Sequence, residues 1–238
     1  MKRKIGIVLF FGFAVLFAVS AFQLLSYYGA EKKQTALFSE LRESVEPAEN
    51  KIAALQEKNA DTWGWLTIAD TKLDYPVMHT PEDGEYYLHR DFNKEESAAG
   101  VPFLDGNCTD GCGNYIIYGH HMNDGTMFAT LLSYKSKEFF AAHPTIQLET
   151  LAGKSEYRIL AAFYAKAYSE EDTGVFRYYQ YTDLTNPDTF AEYVTQAKAA
   201  ALYDTGVSAE YGDELLTLST CSSHTKEGRF VLVAKKEK

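Results

Sequence analysis

Hydrophobic and polar positions divide the chain near residue 30. From Ile5 to Tyr28 the sequence carries no charge and is almost wholly apolar, behind the basic start Met1-Lys2-Arg3-Lys4. At helical rise those twenty-four residues are long enough for the hydrocarbon core of a bilayer. A cleavable signal has a shorter apolar core. The pattern therefore predicts an uncleaved anchor, although Ala18-Val19-Ser20-Ala21 has the small residues of a cleavage site. Basic residues ahead of the span predict an inside N-terminus and an outside domain. Lys32 and Lys33, beyond the span, weaken that asymmetry. Residues 31–62 read as mostly polar helix. Leu37, Leu41 and Val45 share one face, and Pro47 opens a second helix with Ala48, Ile52 and Leu55 at helical spacing.

Past Trp63 the pattern changes. WGWLTI and LDYPVMH read as a strand pair, GEYYLHRDF as a short helix or turn, and NYIIYG as a strand. TMFATLLSY reads as a helix start capped by Thr126. TIQLET and SEYRILAAFYA are strands around the turn Leu151-Ala152-Gly153-Lys154. NPDTFAEYVTQAKAAALY is the clearest helix of this region. Asn186 caps it, Pro187 opens it, and Phe190, Val194, Ala197 and Ala201 share a face. ELLTLSTC and GRFVLVAK are the last strands, joined by the polar loop Ser222 to Glu227. Several strands with few helices predict a largely antiparallel barrel with helical insertions. No internal repeat is visible.

Composition narrows the function. The 238 residues suit a membrane segment plus one ordinary domain, and 17 Tyr with 15 Phe suit aromatic strands. A net charge of −10 with scattered Lys and Arg excludes nucleic acid as a partner. Three cysteines are too few for a disulfide framework. Cys108 and Cys112, within CTDGC, either bridge or stay reduced, and the residues around them offer no zinc ligand set. Cys221 is the odd thiol and a candidate nucleophile.

Cys221 ends an apolar strand, and the polar run Ser222-Ser223-His224-Thr225 says that the strand has reached the surface. A thiol nucleophile acts as thiolate, usually with histidine as partner. Of six histidines, His120, His121 and His224 are rivals on position. His120 follows Tyr118-Gly119 at a strand end. His224 is close to Cys221 in sequence but must fold back to reach it. If the last two strands form a hairpin, Arg229 sits near Cys221, where a permanently charged guanidinium can donate to a developing oxyanion.

Taken together, these residues resemble the sortase family. Thr217-Leu218-Ser219-Thr220-Cys221 matches its TLxTC signature, Arg229 matches the arginine opening its last strand, and Gly119-His120 matches its glycine-histidine pair, which selects His120 over His121. YGHHMNDGTMF, the helix at 187–202 and the helices before Trp63 resemble class B. The resemblance covers roughly residues 47–235, and CTDGC has no counterpart in it. It implies a mainly β fold: a closed sortase-type barrel with helical insertions, behind N-terminal helices and a transmembrane helix. The chain then divides into a cytoplasmic start (1–4), an anchor (5–28), a helical stalk (29–62) and a catalytic barrel (63–238).

The resemblance also implies a mechanism. Cys221 attacks the Thr carbonyl of a C-terminal NPxT-type sorting motif on a secreted protein, often one of haem uptake. Arg229 steadies the oxyanion, and His120 protonates the leaving amine. An amine of a peptidoglycan precursor then resolves the thioacyl enzyme. The segment from about Ala167 to Ser208 forms one groove wall, with Tyr178, Tyr179, Tyr181 and Ser219 as possible contacts. No metal or organic cofactor is implied. The rival readings are another extracellular cysteine enzyme, such as an L,D-transpeptidase or a protease, and a non-catalytic surface binding module. The order His, Cys, Arg and the lack of glycine around STCSS argue against the proteases, and Arg229, eight residues after Cys221, argues against the L,D-transpeptidase, which shares that order. The presence of all three candidates argues against the binding module.

Overall fold

The computed structural model describes residues 2–45 and 50–237, without the side chains of 2–9, 11, 27, 30, 31 and 45. Two compact units divide at Glu46 and Pro47.

The first unit is one helix, α1 (Lys2–Val45). The apolar run and the polar run after it share this helix, with Phe10, Phe13, Phe17, Phe22 and Leu25 exposed along it. Among the described residues no helix is long and apolar enough to cross a membrane. Part of the predicted span, residues 5–9 and 11 among them, has side chains outside the described set.

The second unit begins with α2 (Lys51–Lys58). Pro47 and Ala48, expected in its first turn, lie outside the described residues. Asn50 is the cap instead, accepting from the Ala53 amide at 3.0 Å. Ile52 and Leu55 are buried as the spacing predicted. Eight strands then close a barrel in the order β1-β2-β3-β4-β7-β8-β6-β5. They are β1 (Thr62–Thr67), β2 (Asp74–Met78), β3 (Phe103–Leu104), β4 (Asn114–Tyr118), β5 (Thr145–Thr150), β6 (Gly153–Lys166), β7 (Leu215–Cys221) and β8 (Gly228–Lys236). Closure removes the unpaired edges of an open sheet. The pairing is mostly antiparallel, but β2–β3 and β4–β7 are parallel.

β7 has six successive buried residues before exposed Cys221. Such a strand is covered on both faces, so its sequence runs apolar instead of alternating. Leu215 joins Val231 and Val233 of β8 in a cluster with Phe190, Tyr193 and Ala197. Those last three lie on α4 (Pro187–Ala200), so α4 covers the outer face. Leu216 and Leu218 point the other way, into the barrel. The α4 cap is as expected: Asn186 Oδ1 accepts from the amides of Asp188 (2.8 Å) and Thr189 (3.2 Å).

Two local expectations are corrected. The segment after Thr126 is a 3-10 run, Phe128–Lys135, that starts after Met127 without a side-chain cap. The Thr126 hydroxyl donates instead to Asp124 Oδ1 at 2.6 Å, within its own turn. β3 and the short α3 (Lys137–Ala142) were not anticipated. A two-residue strand is too short to show a period.

Candidate active site

The site is assembled where β4, β7 and β8 end or begin on one side of the barrel. Successive strand residues alternate faces, so Thr217, Ser219 and Cys221 share the face that α4 covers lower down. Thr217 is buried there, its hydroxyl 2.6 Å from the Tyr193 hydroxyl. Ser219 is buried too, its hydroxyl 2.6 Å from that of Tyr178. Cys221, one step beyond, is exposed. The strand thus anchors two residues and presents the third.

β7 and β8 form the expected hairpin, with Cys221 directly opposite Arg229. Paired residues project to the same face, so thiol and guanidinium stand side by side. The connection is tight: the Ser222 amide donates to the Gly228 carbonyl at 2.9 Å. A Cβ on Gly228 would run into the Ser222 carbonyl and the His224 ring. The Arg229 guanidinium donates to the Gly228 carbonyl at 3.1 Å, which leaves donors free for a ligand. We expect Arg229→Lys to lower the turnover of a bound acyl substrate by about 10- to 100-fold, because an ammonium keeps the charge and loses the planar donor fork. Steady-state kinetics on the folded variant checks this, and full activity would remove Arg229 from the chemistry.

His120 arrives through the parallel pairing of β4 with β7. Tyr118 lies opposite Ser219, the Gly119 amide donates to the Ser219 carbonyl at 3.1 Å, and the Thr220 hydroxyl donates to the Gly119 carbonyl at 2.7 Å. Only glycine fits at 119, since an added Cβ would lie 2.7 Å from the ring of Phe128. That ring is fully buried, and the Phe128 amide donates to the His120 carbonyl at 2.8 Å. Gly119→Ala is therefore expected to cost about 1–3 kcal/mol of stability by overpacking and to displace His120. Thermal unfolding and rate should fall together, and an unchanged melting temperature would show that the ring has room to yield.

His120 Nε2 lies 2.8 Å from the Leu88 carbonyl. A carbonyl only accepts, so Nε2 carries the proton and Nδ1 is the free basic position. The ring stacks on His89, with centroids 5.5 Å apart. Burial lowers the pKa of His120 below its ordinary value of 6.5, the Leu88 hydrogen bond opposes that, and His89 adds to it. Prepared this way, His120 is neutral near pH 7 and able to take a proton at Nδ1.

His120, Cys221, Arg229, Ser219, Thr220, Tyr178 and Tyr179 all line one groove of about 560 Å³. A second cavity of about 560 Å³ lies among Trp63, Tyr115, Glu214 and Lys236. Size does not choose between them. The second one opens at the start of β4 and the end of β8, the opposite side of the barrel, and holds no nucleophilic thiol.

Of the three histidine rivals, only His120 lines the thiol groove. His121 bridges to Met127, and His224 is 3.1 Å from the Ser222 hydroxyl and packs on Tyr164. Burial pushes the Tyr178 hydroxyl up to about 12, so it stays a neutral partner for Ser219. Tyr181 is outside the groove. Its hydroxyl accepts from Gln196 at 3.2 Å, and its ring packs on Tyr193. From the segment expected to form a wall, only Ala167, Tyr178 and Tyr179 line the groove, because α4 is occupied in covering β7. The facing wall is Pro81, Gly84, Glu85 and Leu88, with Asp105 to Asn107 beside it. Sequence reading missed that wall and the Leu88 carbonyl, since a backbone acceptor has no residue signature.

An exposed strand-end thiol, a guanidinium across the hairpin and a half-buried neutral imidazole in one groove form the equipment of a cysteine acyl-transfer enzyme. The model of the sortase domain family matches residues 66–237. The chain belongs to the sortase family, and it is a cysteine transpeptidase of the sortase B kind. It is 37% identical over 190 residues to sortase B of Listeria monocytogenes, covering 78% of this chain and 74% of that one. The Staphylococcus aureus sortase B–substrate complex superposes with a TM-score of 0.75 at 26% identity, over 87% of this chain and 98% of that one. Clostridium perfringens sortase B superposes with a TM-score of 0.70 at 29% identity, over 78% and 99%.

Proposed function

We propose that the chain is a membrane-anchored enzyme that cleaves an NPxT-type sorting motif near the C-terminus of secreted proteins. It joins the Thr carboxyl to an amine of a cell-wall precursor. The observation that carries this reading is the placement of Cys221, Arg229 and His120 around one groove. The Cys221 thiolate attacks the Thr carbonyl, and the developing oxyanion is held by the Arg229 donors. Imidazolium at His120 gives its Nδ1 proton to the leaving amine, and the acyl group remains on sulfur as a thioester. The incoming amine loses a proton to the same nitrogen as it displaces Cys221. Tyr178 and Ser219 hold the groove floor, with Tyr179 beside them as a substrate contact. Tyr181 acts on substrate only indirectly, by fixing that segment.

In this reading residues 1–4 are cytoplasmic, 5–28 are the anchor, 29–62 the stalk and 63–238 the catalytic domain outside the membrane. The uncharged run and its exposed Phe and Leu side chains on α1 support lipid contact. An Asn-Pro-x-Thr peptide with a fluorophore and quencher at its ends tests the proposal on the full chain in detergent. Cleavage accompanied by a thioester-linked intermediate, seen as an intact-mass adduct on Cys221, is the expected result. Cleavage without the adduct, or no turnover of any threonine-containing motif, would overturn it.

A further inference from the structure

Cys108 and Cys112 have no part in the acyl-transfer site, yet both are buried, at 1% and 4% exposure, in the loop that leads into β4. Both sulfurs are within hydrogen-bond reach of a single acceptor, the Asn114 carbonyl, at 3.5 and 3.4 Å. They also contact each other. The loop between them already turns back on itself. The Cys108 amide donates to the Asp105 carbonyl at 3.0 Å, and the Cys112 amide to the Thr109 carbonyl at 3.1 Å. Thr109, Asp110 and Gly111 are exposed, so the pair lies just beneath a small surface loop.

This loop is joined to the site. The Cys112 carbonyl accepts from the Leu184 amide at 2.7 Å, and the Gly113 carbonyl accepts from the Leu215 amide at 2.9 Å, where β7 begins. The Asn114 side-chain amide donates to the Tyr181 carbonyl at 2.8 Å. The cysteine loop therefore ties the base of β7, whose far end carries Cys221, to the segment that carries Tyr178 and Tyr179.

We propose that Cys108 and Cys112 are a redox-modification site, a dithiol that is converted to an intrachain disulfide by a disulfide-bearing oxidant and that then locks this loop against β7. The Cys112 thiolate attacks a sulfur of the oxidant, forming a mixed disulfide and releasing one thiolate. The Cys108 thiol passes its proton to that thiolate and attacks Cys112 sulfur, expelling the second thiolate. Two thiols are oxidised, and the oxidant's disulfide is reduced to two thiols. The assignment of attacker follows the contact: the hydrogen bond from Cys108 lowers the Cys112 thiol, and the same bond, with burial, pushes Cys108 up. Oxidation enters by local opening of the exposed loop, and closure then shields the bond from reductants. The supply of oxidant rests on the reading that this domain lies outside the cytoplasm. The geometry of the pair does not.

The test uses the full chain with Cys221→Ala, in which Cys108 and Cys112 are the remaining thiols of three. The chain is incubated with oxidised glutathione, denatured, alkylated with N-ethylmaleimide and weighed intact. The expected product has lost two hydrogens, carries no maleimide, and takes up two maleimides only after reduction. In the same background, Cys108→Ser should trap glutathione on Cys112, whereas Cys112→Ser should leave Cys108 unmodified. Reduction should lower the melting temperature by about 5 °C. Two maleimides without reduction, a disulfide between chains, or glutathione retained on both sulfurs would overturn the proposal. None of these outcomes depends on peptide cleavage, so failure here and failure of the sorting-motif reading are told apart.

Discussion

Cys221→Ala is expected to bring cleavage of an NPxT-type peptide down to background, a loss of about 10⁴-fold or more. The fold should not be involved. Cys221 is the one exposed residue of β7, and the strand is held by Thr217, Ser219 and the β8 ladder without its side chain. Removing an exposed sulfur should shift stability by no more than ~0.5 kcal/mol. The substitution therefore separates chemistry from packing. The thioester step is lost because no other thiol is available in the groove. Cys108 and Cys112 are buried under the loop at the other end of β4. Peptide binding, measured by fluorescence anisotropy, should survive, since the groove walls are unchanged. Retained cleavage in a variant with unaltered unfolding would mean that Cys221 is not the nucleophile.

How much of this was readable in the sequence depended on the range of the interaction. β7 and β8 were legible because both are long apolar runs joined by a short polar loop, and a hairpin follows from that locally. Cys221 and Arg229 came with it. α4 was legible because Asn186, Pro187 and the spacing of Phe190 and Ala197 all agree. The pairing of β4 with β7 was not legible from period or turn chemistry. Their partners, such as Tyr118 and Ser219, are 101 residues apart, and parallel pairing is set by the whole barrel. Without that pairing, His120, His121 and His224 had equal local claims, and the family resemblance chose among them. The wall from Pro81 to Leu88 was hidden for a similar reason. It is a loop whose function lies in a carbonyl and a shape. Tyr178, Tyr179 and Tyr181 looked equivalent in sequence. A 3-10 turn at Tyr178–Gln180 sends the first two to the groove and the third back to α4.

His120→Ala is expected to lower kcat/KM by about 10²- to 10⁴-fold, the range for loss of a general acid–base group. It should also change the shape of the pH profile, which a merely structural role would not do. Transfer from Cys221 to His120 makes thiolate plus imidazolium from thiol plus imidazole, with no net change in bound protons. One proton more gives thiol plus imidazolium, which cannot attack. The acid limb of the profile therefore follows His120. Burial lowers that group, with the Leu88 carbonyl opposing and His89 assisting, so the limb should fall below the ordinary histidine value of 6.5. In His120→Ala the limb should disappear or move. The same shift has a linked effect on stability. Below the unfolded value the unfolded chain holds more protons than the folded one, so this contribution is complete above it and is lost as pH falls toward the folded value. His79, lowered by burial, acts in the same direction. The acid destabilisation should therefore shrink in His120→Ala without vanishing. An unchanged acid limb, with activity reduced equally at every pH, would leave His120 as a support for the Gly119 turn and require another proton donor in the groove.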